Sequence, residues 1–419
     1  MPSANFQRST TPLIFALKVL GGAAAYAASV LVARLFGLAT LGDYGLMTTL
    51  LALATAIATL GVPVFLMNQG AAHGVTSVTM SASARTALSG LATGVAVTLP
   101  AFAVIAYMIN SALAFYFVPA LIANAILLSA QPLWSLHRHF LSGALFIDLA
   151  RPAVFLAGTV IAMLASAAAT EVAVSLIAGA LSLTLGAVGI YKLLACWRLG
   201  QKQTHSDGPR LRGLYGVTAS VVPVGIATVL VAQVDRLYLA VLVSRSDLGT
   251  YVAAQSVVVV VTIFIGSVLV QVIPTLALNL ATNDWSVISA VCRRAAKLSI
   301  AANAVAIVGF LLFDSTIQRL FGIEDAAFSS SVLVLLTGSL FSLFFGFGST
   351  LLLYEGTRCR QLLLATLGAA TLTSVAVGVA LVPSWGVVGA AVGTAIGLIL
   401  QRALPYVYYR SRGIQVGLL

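Results

Sequence analysis

Apolar stretches of about 20 residues recur along the whole chain, separated by short polar turns, and windows of about 19 residues mark twelve of them. They run near Pro12–Arg34, Leu41–Met67, Ala84–Met108, Ser111–Gln131, Leu141–Ala165, Thr170–Ala195, Gly213–Val241, Leu248–Val272, Arg294–Phe313, Ser329–Leu353, Gln361–Val382 and Val387–Tyr406. Runs of this length cross a bilayer as helices, because backbone in lipid must satisfy its own hydrogen bonds. The alternation that barrel strands need is absent. The expected fold is all-α: a polytopic membrane bundle of about 12 transmembrane helices.

Composition agrees. Of 419 residues, 60% are hydrophobic and 8% charged, against roughly a quarter charged in soluble domains. Of the 22 Lys and Arg, all but Arg34, Arg236, Arg245 and Arg319 fall nearest one face of the expected bundle. Retention of basic loops inside then places both termini in the cytoplasm, and the formal charge of +11 reflects topology and anionic lipid heads, with no nucleic-acid partner required. "AAAYAAS" at Ala23–Ser29 resembles a cleavage site, but its apolar run holds Lys18 and continues to Leu35, longer than a signal peptide's core, so it reads as a span. Cys196, Cys292 and Cys359 lack CxxC spacing and read as small fillers. His137 and His139 in "LHRHF" read as solvated loop residues, and no metal or other cofactor is expected.

The longest internal polar stretch, "CWRLGQKQTHSDGPRLRG", falls between spans six and seven. It divides the chain into an N-terminal six-helix repeat (1–197), a cytoplasmic linker (198–213) and a C-terminal repeat (214–419). The repeats carry matching turns: Leu41-Gly42-Asp43-Tyr44 joins spans one and two, and Leu248-Gly249-Thr250-Tyr251 joins spans seven and eight, about half a chain later. Leu-Gly is an ordinary helix-end turn, but its recurrence at the same place in each half indicates parallel repeats related by a pseudo-two-fold axis along the membrane normal.

Charges inside spans are few, and each is costly at the bilayer centre. Lys18 either snorkels to the headgroups or lines a cavity. Asp148 and Arg151, in "IDLARP", share one helix face at i and i+3 and can pair, either stapling helices or serving as a neutralised phosphate contact or a proton-sensitive switch. Asp235 and Arg236 are adjacent in span seven, so they point about 100° apart; they should not face one partner directly, and one is expected at a cavity and the other at an interface. Arg34 closes span one, where headgroup chemistry alone also accounts for it. Gly389, Gly393 and Gly397 form a small-xxx-small packing face, and Pro63, Pro152 and Pro223 mark places where helices can break beside a cavity. No Walker A loop, nucleophile elbow, HExxH pair or paired catalytic carboxylates appear, which points away from an enzyme.

"LVARLFGLATLGDYGL", "QVDRLYLAVLVSRSDLGTYVAAQS", "LFGIEDAAFSSSVLVLL", "LLLYEGTRCR" and "LVPSWGVVGAAVGTAIG" together resemble the polysaccharide-biosynthesis (O-antigen, Wzx-type) lipid-linked oligosaccharide flippases. That family shares a superfamily with the multidrug and toxin exporters and the peptidoglycan-precursor flippases. On its pattern Arg34 closes span one, Asp235 and Arg236 end span seven, Gly356 with Arg358 or Arg360 forms the turn after span ten, and Pro383, Trp385 and Gly386 open span twelve; Ala39-Thr40 stands where acidic residues are common. The resemblance implies a flippase of the bacterial inner membrane, moving a polyprenyl-diphosphate-linked oligosaccharide from inner to outer leaflet by alternating access. It also implies a polysaccharide polymerase and chain-length machinery as downstream partners, and energy from an H+ or Na+ gradient or from consumption of the flipped product. Lys18, Arg34, Asp148, Arg151, Asp235 and Arg236 are the substrate-cavity candidates, since arginine offers a diphosphate forked, charge-assisted hydrogen bonds. The alternative is a multidrug or cation antiporter of the same superfamily, which calls for unpaired carboxylates at mid-membrane.

Overall fold

A computed structural model describes residues 4–66, 77–136, 143–165, 170–200, 211–281 and 283–419. His137, His139 and most of the expected linker lie outside these residues. Everything regular in the described residues is helix: α1 (Ala4–Ala58), α2 (Ser77–Ile109), α3 (Ser111–Leu136), a π-helical segment (Ala144–Ala150) running into α4 (Arg151–Ala165), α5 (Glu171–Gly200), α6 (Leu211–Leu242), α7 (Arg245–Ala281), α8 (Trp285–Phe321), α9 (Ala326–Phe344), α10 (Gly348–Tyr354), α11 (Thr357–Trp385) and α12 (Val387–Arg410). Eleven of the helices, among the described residues, are long and apolar enough to cross a membrane.

The difference from twelve expected spans lies in α1. Its 55 residues would extend about 80 Å if straight, well over twice the hydrocarbon thickness of about 30 Å. It is interrupted at Gly37, whose φ of 89° and ψ of 169° lie where only a residue without Cβ sits comfortably. The expected break between Arg34 and Leu41 is therefore a single-residue kink. Span ten is broken as well: α9 stops at Phe344, Gly346 turns at φ 75°, and α10 resumes at Gly348. Gly386 takes φ 55° between α11 and α12, so the Pro383-Ser-Trp-Gly motif is a helix-to-helix turn.

The chain forms two compact units: Met1–Ala28 with Met47–Ile226, and Ser29–Leu46 with Ala227–Leu419. In the first, α3 and α5 pack along their length, with α2 and α4 laid against α5. Small residues set the spacing, as lipid supplies no hydrophobic drive between helices and close packing must hold them; a Cβ on Gly179 of α5 would fall 2.5 Å from the Phe115 carbonyl oxygen of α3. In the second, α12 is the central element, packed on α11 and α9, while α7 lies against α8 and α9. The Gly389/Gly393/Gly397 face is spent on this packing: a Cβ on Gly393 would lie 2.5 Å from the Ser374 carbonyl oxygen of α11. Asp284 caps α8, its carboxylate accepting from Val287 N at 3.2 Å, and Asp325 caps α9 by accepting from Ala327 N at 2.9 Å, satisfying donors that a helix start leaves open.

Candidate functional site

In the first unit the charges gather around Pro152. A helix needs the N–H that proline lacks, and just before Pro152 the backbone widens into the π-helical turn of residues 144–150, with Arg151 N–H donating five residues back to Phe146 O. Such single π turns are frequent at functional sites. The widened turn brings the Asp148 carbonyl against Gly21 of α1, where any Cβ would overlap it. One turn earlier on α1, Lys18 Nζ lies 3.5 Å from Asp148 Oδ1, with side chains 16% and 26% exposed. Lys18 and Asp148 are therefore an ion pair. Arg151 is half-buried, and its guanidinium makes no hydrogen bond or ion pair among the described residues. Tyr116 is held edge-on between Phe117 and Phe155, at centroid distances of 4.6 and 4.9 Å.

In the second unit Asp235 is buried, and four donors surround its carboxylate. Oδ2 accepts from Tyr251 Oη at 2.6 Å, Gln255 Nε2 at 2.7 Å and Thr394 Oγ1 at 2.7 Å, while Oδ1 accepts from Arg236 N at 2.8 Å. Arg236 donates through Nε to Gln255 Oε1 and through Nη1 to the Gly45 carbonyl at 3.2 Å. The expectation that adjacent Asp235 and Arg236 would not share a partner is corrected here. A glutamine carries both a donor and an acceptor, and Gln255 presents its amide nitrogen to the aspartate and its oxygen to the arginine.

Arg34 reaches the end of α8, donating through Nε to Leu320 O at 2.8 Å and through its terminal nitrogen to Arg319 O. Gly322 there takes φ 71° as the left-handed cap. A cation on the last carbonyls of a helix complements its dipole and satisfies orphan acceptors. The two repeated Leu-Gly segments, expected as helix-end turns, are helical instead, one inside α1 and one at the start of α7, with the chain breaking earlier at Gly37 and at residues 243–244; they meet within this unit. A Cβ on Gly42 would fall 2.5 Å from Arg245 O and 3.1 Å from Gly249 N, and Asp43 Oδ1 pairs with Arg245 Nε at 3.6 Å.

The six sequence candidates thus fall into three places: Lys18, Asp148 and Arg151 together; Asp235 and Arg236 together; and Arg34 at the α8 end. Tyr116, Gln255, Thr394, Asp43 and Arg245 were not singled out. Tyr251 and Gln255 carried a legible signal, two hydrogen-bonding residues at i and i+4 in the first half of a span whose other polar residues there are Ser and Thr. Thr394 did not, because threonine is common in such helices. No group of three or more His, Cys, Asp or Glu among the described residues is placed to hold a metal ion. Cys292 is buried and Cys359 half-buried, both as free thiols.

No protein-family model and no curated protein matches the sequence. The fold does match solved structures. A MATE transporter crystallised with the ligand MaL6 superposes with a TM-score of 0.68 at 13% identity, covering 96% of this chain and 95% of that one. A MOP superfamily transporter from Pyrococcus furiosus, described as having a binding pocket of reversed polarity, gives 0.68 at 14%, covering 96% and 95%. The lipid II flippase MurJ gives 0.61 at 12%, covering 96% and 87%. The chain has the all-helical, two-repeat fold of MOP superfamily transporters and is a multi-pass membrane protein of that architecture.

Proposed function

We propose that the protein is a flippase that carries a polyprenyl-diphosphate-linked oligosaccharide from the inner to the outer leaflet of a bacterial inner membrane, both termini being cytoplasmic. The observation that carries this reading is Arg151: a half-buried guanidinium beside a π-helical turn, engaged by no hydrogen bond or ion pair among the described residues. A cation kept inside an apolar bundle at such cost wants an anion, and a diphosphate accepts the two parallel hydrogen bonds that a guanidinium offers. Lys18 is the second cation at this place. Its 3.5 Å pair with Asp148 can exchange for a phosphate oxygen, so the site offers one cation before the cargo binds and two once it has.

The Asp235 network supports the same choice from the other side. An exporter of organic cations needs a carboxylate free to receive them, and the Asp235 oxygens are occupied by Tyr251, Gln255, Thr394 and the Arg236 amide. In this reading the repeats 1–197 and 214–419 alternate access, Asp235 and Arg236 keep the second repeat rigid, and the flipped product passes to a polysaccharide polymerase. The alternative, a multidrug or cation antiporter, draws on Asp148, whose carboxylate makes one long ion pair among the described residues and stays partly open.

Deletion of the gene followed by mass analysis of lipid-linked glycans decides between them. Accumulation of unpolymerised glycan-lipid on the inner face is expected. Arg151→Ala at native abundance should lower surface glycan about 10- to 100-fold, the loss of a charge-assisted contact worth roughly 1.5–3 kcal/mol, and Arg151→Lys should lower it less. Normal surface glycan in Arg151→Ala, or unchanged lipid-linked pools with lost efflux of cationic dyes in the deletion, overturns the proposal.

A further inference from the structure

Between α9 and α10 the helix expected for span ten is broken, and a helix end leaves carbonyls with no partner within the helix. Two of them find partners from outside the helix. Gly346 O accepts from Arg402 Nη1 of α12 at 3.2 Å, with the guanidinium 5.0 Å over the Phe347 ring. Phe344 O accepts from the backbone N of Leu418 at 2.9 Å. Leu418 belongs to the segment that follows α12. The chain reverses at Gly413, φ 75°, with Ile414 N returning to Tyr409 O at 3.0 Å, and residues 414–419 run back to the break.

The seat is built for backbone on backbone. Any Cβ on Gly346 would overlap the Val416 carbonyl, and one on Gly417 would fall 2.7 Å from Phe344 O and 2.8 Å from Phe345 C. Val416 is fully buried. The far end is tied down as well: Leu419 O accepts from Arg410 Nη1 at 2.7 Å and from Tyr406 Oη, and Arg410 Nη1 also donates to Tyr406 Oη at 2.8 Å. Tyr406 in turn meets Phe345 edge-on at 5.8 Å. One short segment therefore touches the break at Phe344, Phe345 and Gly346 and is clamped by the last turn of α12.

We infer that residues 414–419 are a strap that holds the α9–α10 helix in its broken form, so that seating or release of the strap switches the segment 345–351 between two states. With the strap seated, Phe344 O is paired and Gly346 keeps its left-handed turn. With it released, Phe344 O is orphaned in apolar surroundings, and the helix regains a partner for it only by rewinding or by admitting water. The inference concerns the fold of the second unit and holds whatever the cargo is.

Hydrogen exchange on the full-length protein in nanodiscs tests it, beside a 414–419 deletion and Gly417→Val, which keeps the segment but blocks its seat. Both variants should exchange the amides of 345–351 at least about tenfold faster, with α11 and the rest of α12 unchanged. Adding the peptide GIQVGLL to the deletion variant should restore protection where a scrambled peptide does not. Unchanged exchange at 345–351 in either variant overturns the inference. So does a rise spread evenly through α11 and α12, which would make the segment an ordinary part of the packed unit.

Discussion

Gly42 in α1 and Gly249 near the start of α7, the glycines of the two repeated Leu-Gly segments, lie against each other: a Cβ on Gly42 would fall 3.1 Å from the backbone nitrogen of Gly249. Beside them Asp43 of α1 pairs with Arg245 at the start of α7 at 3.6 Å, and Arg236 of α6 donates to Gly45 O at 3.2 Å. The recurrence of Leu-Gly half a chain apart thus has a structural cause. Each glycine lets the opposite backbone approach, which no residue with a side chain permits.

That contact predicts a contrast within α7. Gly249→Ala places a methyl group on the Leu38 carbonyl oxygen, whereas Gly266→Ala meets nothing within 4 Å. Thermal melts of detergent-solubilised protein should show Gly249→Ala destabilised by about 1–3 kcal/mol through overpacking. Gly266→Ala should be neutral or stabilised by up to about 1 kcal/mol from helix propensity. Equal melting of the two variants would show that α1 and α7 have room to separate.

Gln255 holds both members of a buried pair. Gln255→Leu removes one donor from Asp235 and one acceptor from Arg236, and a lost hydrogen bond to a charged group costs about 1.5–3 kcal/mol. The expected result is a sharp fall in folded protein recovered from membranes. Asp235→Asn in the Gln255→Leu background should cost much less than the sum of the two single changes, since both act on one network. Additive losses in that double-mutant cycle would refute the shared-partner geometry.

Arg34 acts by shape as much as by charge. Its Nε and a terminal nitrogen reach two successive carbonyls, Leu320 O and Arg319 O, and a lysine ammonium does not span them as a planar fork does. Arg34→Lys should therefore lower the melting temperature, by about 0.5–1.5 kcal/mol of lost hydrogen bonding. Hydrogen exchange should quicken in the last turn of α8. A variant indistinguishable from the parent in both measurements would mean that charge at this helix end is sufficient.

Outside the spans, Asp284 gives a pH dependence of known sign. The Ser286 hydroxyl, and then the Val287 N–H, hold its carboxyl below the usual carboxylate range. A carboxyl whose folded value is depressed stabilises the fold above its unfolded value, near pH 4, and loses that contribution as pH falls through the lower folded value. The parent should lose more stability than Asp284→Asn between about pH 5 and pH 3, since asparagine also caps but does not titrate. Superimposable pH profiles of melting would show that the cap carries no titrating contribution.

Much of the helix pattern was legible because it depends on local properties. A run of about 20 apolar residues in lipid has one economical backbone solution, and Gly37, Gly346 and Gly386 interrupt helices where the pattern showed turns, except that the break inside span ten gave no hydropathy signal. The candidate site was legible only as a set of unusual residues. Hydropathy shows that a charge within a span needs a partner; it does not show which one.

The sequence by itself determined a helical membrane chain, the approximate bounds of its spans and the short roster of internal charges, since these follow from backbone satisfaction in an apolar solvent. Only the tertiary structure decided that Arg34 belongs to the end of α8, that Gln255 serves Asp235 and Arg236 at once, and that residues 29–46 pack with the second unit. The physical reason is distance along the chain. Arg34 meets Leu320, Arg236 meets Gly45 and Asp235 meets Thr394, and no local pattern records a hydrogen bond between residues that far apart.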